Sequence, residues 1–172
     1  MKLYHSWCDI YNQIFIELFS QEKQRINASI NNLKVEHVGS TAIPELGGKG
    51  IIDILVSVDK KEMSSISKKL EELGYEFRPT SSTGTRFFHR IDLPDAIDGT
   101  RRYHLHLTYT ESKDWQEVLV FRDYLLSHLE AVQEYTLIKK QAADAVNEDG
   151  EKYRKLKEPF IQKVLKKALA TI

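Results

Sequence analysis

The stretch Val35 to Val58 reads VEHVGSTAIPELGGKGIIDILVSV, and its interpretation decides the fold. An apolar strand runs into Gly39-Ser40-Thr41, a glycine-rich turn carrying Lys49 follows, and a second strand, Ile51 to Val58, holds one carboxylate, Asp53. A strand built to be buried has little use for a charge unless that charge is paired or holds a metal. Strand alternation puts Asp53 and Leu55 on one face and Ile52, Ile54 and Val56 on the other. Small residues after a strand let backbone N–H groups approach a phosphate, and the Ser40 and Thr41 hydroxyls add donors. A short helix starting at Thr41 would add its dipole. An ordinary turn with a helix cap is the competing reading of Gly39-Ser40-Thr41. For Asp53 the alternative is a pair with Lys49 or a cap on nearby backbone.

Outward from this core, the elements follow from periodicity. About Asp9 to Ser29 has helical spacing through Ile14, Phe15, Leu18, Phe19 and Ile26, continuing to Ile30. Leu33 to Val38 is a short strand. Asp59 caps a helix through Leu73, with Met63, Ile66, Leu70 and Leu73 as its stripe and Gly74 as its stop. Tyr75 to Arg78 reads as a strand and Thr80 to Gly84 as a polar turn. Thr85 to Leu93 and Arg102 to Thr108 form a hairpin across the turn from Pro94 to Gly99. Three helices finish the chain: Trp115 to Ser127, about Glu130 to Val146, and roughly Gly150 to Leu169. The last carries Tyr153, Leu156, Phe160, Val164 and Ala168 on one face, with Pro159 as a kink or boundary. The expected architecture is α+β, a mixed sheet flanked by helices with a C-terminal helical bundle, in one domain spanning residues 1–172.

The chain has 172 residues, equal numbers of basic and acidic side chains and so no net charge, which argues against a general nucleic-acid binder. Its single cysteine, Cys8, excludes an internal disulfide framework and suits a reducing cytosol. No apolar run approaches the roughly 18 residues of a membrane span, and the N-terminus has no signal-peptide core. A cytoplasmic location is expected.

In Tyr103-His104-Leu105-His106-Leu107 both imidazoles face one way, so both can reach one ion or one phosphate; hydrogen-bonded strand residues are the plainer alternative. His37 beside the glycine turn shares that ambiguity, and Glu36 points to the opposite face. Arg86 and the pair Arg101-Arg102 are candidates for phosphate or an acidic substrate, against a default of solvated charge. Arg122 and Asp123 read as a local ion pair docking helices, with Arg122 also able to point into a cleft.

These residues resemble the GrpB family, whose fold belongs to the nucleotidyltransferase superfamily. Its E-H-V-G-S-T-A-I-P signature stands at Glu36 to Pro44, K-x-I-I-D-I at Lys49 to Ile54, H-L-H at His104 to His106 and F-R-D-Y-L at Phe121 to Leu125. The resemblance implies a nucleotidyltransferase-like fold in which a glycine-serine turn precedes a strand with two alternating carboxylates. Here Gly39-Ser40 and Asp53 fit, position 55 is leucine, and His104 and His106 stand where a third carboxylate is expected. Glu45 replaces the usual glycine, bringing a negative charge or a further metal ligand. Gly50 replaces the usual proline, loosening the turn.

The implied function is nucleotidyl or phosphoryl transfer. Gly39, Ser40, Thr41 and Arg86 would bind phosphate, and Asp53 and Lys49 would act in catalysis. Asp53, His104 and His106 would bind a divalent ion, Mg²⁺ or Mn²⁺ with Zn²⁺ as the softer choice, and His37, Glu45 and Arg122 would be accessory. The alternative is a non-catalytic module for a nucleotide or phosphorylated small molecule, toward which Leu55 and the GrpB-like domains fused to dephospho-coenzyme A kinase both point.

Overall fold

The computed structural model describes residues 13–146 and 149–172. Cys8 and the expected first turn of the N-terminal helix lie outside them.

The helices and strands in chain order begin with α1 (Ile14–Ser29), β1 (Lys34–Val38), β2 (Ile52–Val58) and α2 (Met63–Glu72), and short 3-10 turns lie at Ser40–Ala42, Lys60–Glu62 and Pro79–Ser81. They continue with β3 (Glu76–Phe77), β4 (Phe87–Asp95), β5 (Gly99–Tyr109), α3 (Lys113–Ser127), α4 (Leu129–Ala145) and α5 (Gly150–Leu169). The strands form one five-stranded sheet in the order β1-β2-β5-β4-β3. β2 and β5 run parallel and every other pair is antiparallel.

Local chemistry sets the boundaries. Before α2 the Asp59 side chain accepts from the Lys61 N–H. At its end Gly74 adopts a φ of 100°, so that the Gly74 and Tyr75 N–H groups reach the Glu71 and Leu70 carbonyls. Ser112 caps α3 by accepting from the Trp115 N–H, and Asp149 caps α5.

The β4–β5 hairpin is longer than the sequence indicates. β4 continues through Pro94, opposite Thr100, and turns only between Asp95 and Gly99. Proline is tolerated there because β3 pairs with β4 only at His89 and Arg90, so that β4 is an edge at Pro94. Pro159 neither ends nor divides α5, which runs on through it. Residues 155 and 159 are both exposed, so the carbonyl freed by the missing N–H faces water. Leu156 is not on the buried face of α5; it is 50% exposed, while Phe160, Val164, Leu165 and Ala168 are buried.

The sheet separates two environments. On one face Ile52, Ile54 and Val56 of β2 and Tyr103, Leu105 and Leu107 of β5 pack against α1 and α2 in the main core. On the other, Val38 and Leu55 meet Trp115 of α3. A separate cluster joins the glycine-rich turn to the bundle: Ile43 and Leu46 pack with Leu125, Val132, Tyr135, Phe160 and Val164. These contacts bring α4 and α5 over the turn that precedes β2. No helix among the described residues is long and apolar enough to cross a membrane.

Candidate functional site

Asp53 lies midway along β2, with Val38 and His104 as its cross-strand neighbours. Alternation turns it toward the bundle, away from the main core. Gly39, with a φ of 74°, passes so close that a Cβ there would overlap Asp53 Oδ2. The glycine is therefore required twice, by its left-handed backbone and by the carboxylate resting on its α-carbon.

His104 and His106 share Asp53's face. Asp53 Oδ1 lies 3.6 Å from His104 Nδ1 and 3.8 Å from His106 Nε2, separations too long for direct hydrogen bonds. Phe88 packs against both rings. Burial alone would push the Asp53 carboxyl up, but the approach of His106 and His104, with Lys139 beyond, holds it below the usual range. Burial lowers His104, against the pull of Asp53, and so favours its neutral ring.

Gly39, Asp53 and His106 line a cleft of about 440 Å³ between the sheet and helices α3 and α5, and His104 lies beside it off the lining. Val38, Leu46, Leu55, Val118 and Phe121 supply apolar wall, and Arg86, Arg122, Arg154 and Lys157 supply positive charge. Two buried polar atoms on the lining, Arg86 Nε and His106 Nδ1, have no hydrogen-bond partner among the described residues. Arg86 also reaches Asp114 at 3.6 Å. Arg122 donates to Glu36 Oε2 at 2.7 Å and to the His37 carbonyl at 3.1 Å, tying α3 to β1 while lining the cleft.

The other candidates are placed differently. Ser40 Oγ faces Gly48 beside Lys139 Nζ. The Thr41 side chain is buried; its hydroxyl donates to the Ile51 carbonyl at 3.2 Å and lies 2.9 Å from His37 Nε2. His37 is on the core face of β1, stacked on Phe19 at 4.6 Å, and burial lowers its pKa to about 4. Thr41 and His37 thus support the turn from behind. The expected helix at Thr41 is one 3-10 turn, Ser40–Ala42, too short for a useful dipole. Arg101 is buried against Asp95, Asp98 and the Gly50 carbonyl, and Arg102 pairs with Asp92, so neither is in the cleft.

The two departures at the turn have structural explanations. Glu45 is exposed, outside the cleft lining, with a φ of 65°. It follows Pro44 in a turn closed by the Leu46 N–H and the Ile43 carbonyl, where a type II geometry favours glycine. Gly50 does not loosen its turn. It has a φ of 69°, which proline cannot adopt, and Arg101 donates to its carbonyl at 3.1 Å.

Sequence reading missed two residues. Lys139, only 7% exposed, donates to the Gly47 carbonyl at 2.9 Å. Burial, with repulsion from Lys157 and Lys49, lowers its pKa to about 7 despite the attraction of Asp53. Lys157 sits 4.2 Å from the centre of the Tyr153 ring, with Lys49 at 5.3 Å from the same ring. A signal existed: Val132-Tyr135-Lys139-Ala142 and Tyr153-Lys157-Phe160-Val164 are two apolar stripes at helical spacing, each interrupted by one lysine.

The resemblance also implies a divalent ion. Paired carboxylates are what hold two Mg²⁺ ions for phosphoryl transfer. The partner position to Asp53 is Leu55, fully buried beside Trp115 and Val38. Asp53 with two imidazoles is a nitrogen-rich set suited to softer ions. Among the described residues no three His, Cys, Asp or Glu side chains converge as a metal site. The donors do not fit the implied centre.

A model of the GrpB protein family matches residues 9–167. A UPF0157 protein of Halalkalibacterium halodurans is 31% identical over 164 residues, covering 94% of this chain and 81% of its own. The UPF0157 protein YqkA of Bacillus subtilis is 30% identical over 148 residues, which are 81% of this chain but 41% of that longer protein. The crystal structure of a conserved GrpB protein from Enterococcus faecalis superposes with a TM-score of 0.79 at 29% identity, over 96% of this chain and 98% of that one. A poly(A) polymerase complex, GLD-2 with GLD-3, aligns with a TM-score of 0.51 at 11% identity, over 78% of this chain and 46% of that one. The last likeness carries the nucleotidyltransferase-like fold and nothing further.

Proposed function

The chain belongs to the GrpB family, and from that premise we propose that its cleft binds the phosphate-bearing end of a nucleotide or phosphorylated metabolite. One observation carries this reading: Arg86 Nε and His106 Nδ1 are buried on the cleft lining without hydrogen-bond partners among the described residues. Such groups normally find a partner, and a phosphate group offers acceptor oxygens to a guanidinium and, when it carries a proton itself, a donor to a ring nitrogen. The volume and the apolar wall of Val118 and Phe121 suit a ligand with a planar or aliphatic body behind its anionic head.

Metal-assisted nucleotidyl transfer is the second reading. The ionised Asp53 against Gly39, at the glycine-serine corner, favours it. An ion, whether Mg²⁺, Mn²⁺ or Zn²⁺, would have to draw on Asp53, His104 and His106.

Thermal unfolding with ATP or with adenosine tests the first reading. A ligand that binds the native state alone raises the midpoint by mass action. ATP should raise it, adenosine should do so much less, and Arg86→Ala should diminish the ATP effect. Equal shifts for both compounds, or none with ATP, would refute a phosphate-directed cleft.

A further inference from the structure

Lys49, Lys139 and Lys157 come from three different elements to the side of the cleft next to the glycine-rich turn; Lys157 lines the cleft, while Lys49 and the buried Lys139 lie off its lining. Lys49 leaves the glycine-rich turn, Lys139 interrupts the buried stripe of α4, and Lys157 interrupts that of α5. Lys49 and Lys157 share the Tyr153 ring. Lys139 Nζ is fixed by the Gly47 carbonyl and by its position over the Tyr135 ring, 5.5 Å from the centroid. A Cβ added to Gly48 would lie 2.5 Å from Ser40 Oγ and 3.3 Å from Lys139 Nζ, so hydroxyl and ammonium face the same glycine. Lys139 and Lys157 are each attracted by Asp53 and repelled by Lys49.

Convergence of like charges opposes folding, and helices packed into a bundle cannot relax it away. A polyanion turns that repulsion into attraction. A lysine ammonium is a compact point charge suited to phosphate. We propose that Lys49, Lys139 and Lys157, with the Ser40 hydroxyl, form an anion-anchoring subsite that holds a polyphosphate directly, without a bridging divalent ion. Arg86, on the same cleft, extends the positive lining beyond one phosphate group. Helices α4 and α5 then belong to the binding apparatus. The inference rests on the reading of the cleft as a site for phosphorylated ligands and adds how their charge is met.

Isothermal titration of tripolyphosphate in the presence of EDTA tests it. The wild-type chain should bind. Lys139→Met and Lys157→Met should each weaken binding tenfold or more. Lys139→Met should also keep or raise the melting midpoint, because it removes a buried charge; a purely structural lysine would lower it. Lys157 is only partly buried, so its variant serves if Lys139→Met fails to fold. Asp53→Asn should tighten binding several-fold by removing the competing carboxylate. Wild-type affinity in the lysine variants, or binding that requires Mn²⁺ and is weakened by Asp53→Asn, would overturn the lysine subsite and leave the cleft reading standing. No binding of tripolyphosphate or ATP, with or without Mn²⁺, would overturn both.

Discussion

The sheet face that meets α1 and α2 carries His37 and His89, and the face beneath α3 and α5 carries His104 and His106. On the first face each ring has a hydroxyl partner at one nitrogen, although the buried Nδ1 of His89 has no hydrogen-bond partner among the described residues. His89 is fully buried, with Nε2 2.8 Å from Ser67 Oγ, and His37 lies between Phe19 and Thr41. On the second face the rings lean toward Asp53 without closing to bonding distance. The helices repeat the contrast. Glu22 of α1 is buried on the core side, where Tyr75 and Arg25 donate to it at 2.6 to 2.9 Å. Lys139 of α4 is buried on the cleft side, facing two further lysines. A polar residue among apolar neighbours is structural when the fold brings it complementary partners. Where the fold brings it like charge and an open cleft, it is arranged for something that arrives later.

Neighbouring residues on β5 give the largest test. Leu105→Ala removes a fully buried core side chain and should cost about 3 to 5 kcal/mol in urea denaturation. His104→Ala, one residue earlier and on the cleft face, should cost under about 1 kcal/mol, as substitutions away from a packed core do. Comparable losses at both positions would break the contrast.

Acid is the second probe. Burial holds His89 at a pKa of about 4, below the 6.5 of an unhindered ring. Between those values the unfolded chain binds the extra proton, so stability falls as pH drops from 6.5 toward 4. The loss should be on the order of 3 kcal/mol for this group, from about 1.4 kcal/mol per unit. Denaturation midpoints at pH 7 and pH 4.5 measure it, and His89→Asn, which retains a partner for Ser67, should flatten the slope.

Gly39→Ala sharpens the cleft side. It forces a methyl into the Asp53 carboxylate on a left-handed backbone and should destabilise by about 2 kcal/mol. It should also alter the ATP-induced thermal shift, since Asp53, which lines the cleft, has to move. A fully retained shift would separate the corner from the ligand. The smallest effect has the opposite sign: Glu45→Gly relieves a left-handed residue outside the cleft and should stabilise by about 1 kcal/mol with ligand shifts unchanged.

Much of this was legible in the sequence. The alternation of Ile51 to Val56 separates the core face from the cleft face, and that separation holds residue by residue along β2. The glycine-serine turn and the His104–His106 spacing locate the corner and the strand beside Asp53 on the same sheet face. Other features depend on contacts between distant segments. Nothing local distinguishes Arg101, buried on Asp95 and Gly50, from Arg86 on the cleft. Thr41 has the same chemistry as Ser40, and only the register of β1 against β2 turns it inward toward the Ile51 carbonyl. Lys139 and Lys157 were visible as breaks in apolar stripes, but a lysine in a stripe usually extends its stem to water. The packing of Ile43 and Leu46 beneath the bundle is what directs these two at Asp53.

Leu55 has a further consequence. It packs with no exposed surface against Trp115 and Val38, directly under the first turn of α3. An aspartate placed there would lie beneath the indole with the His106 ring as its cross-strand neighbour, where burial would raise its pKa. The step to a two-acid centre therefore exchanges apolar packing against the tryptophan for a buried carboxyl, and its cost falls on stability.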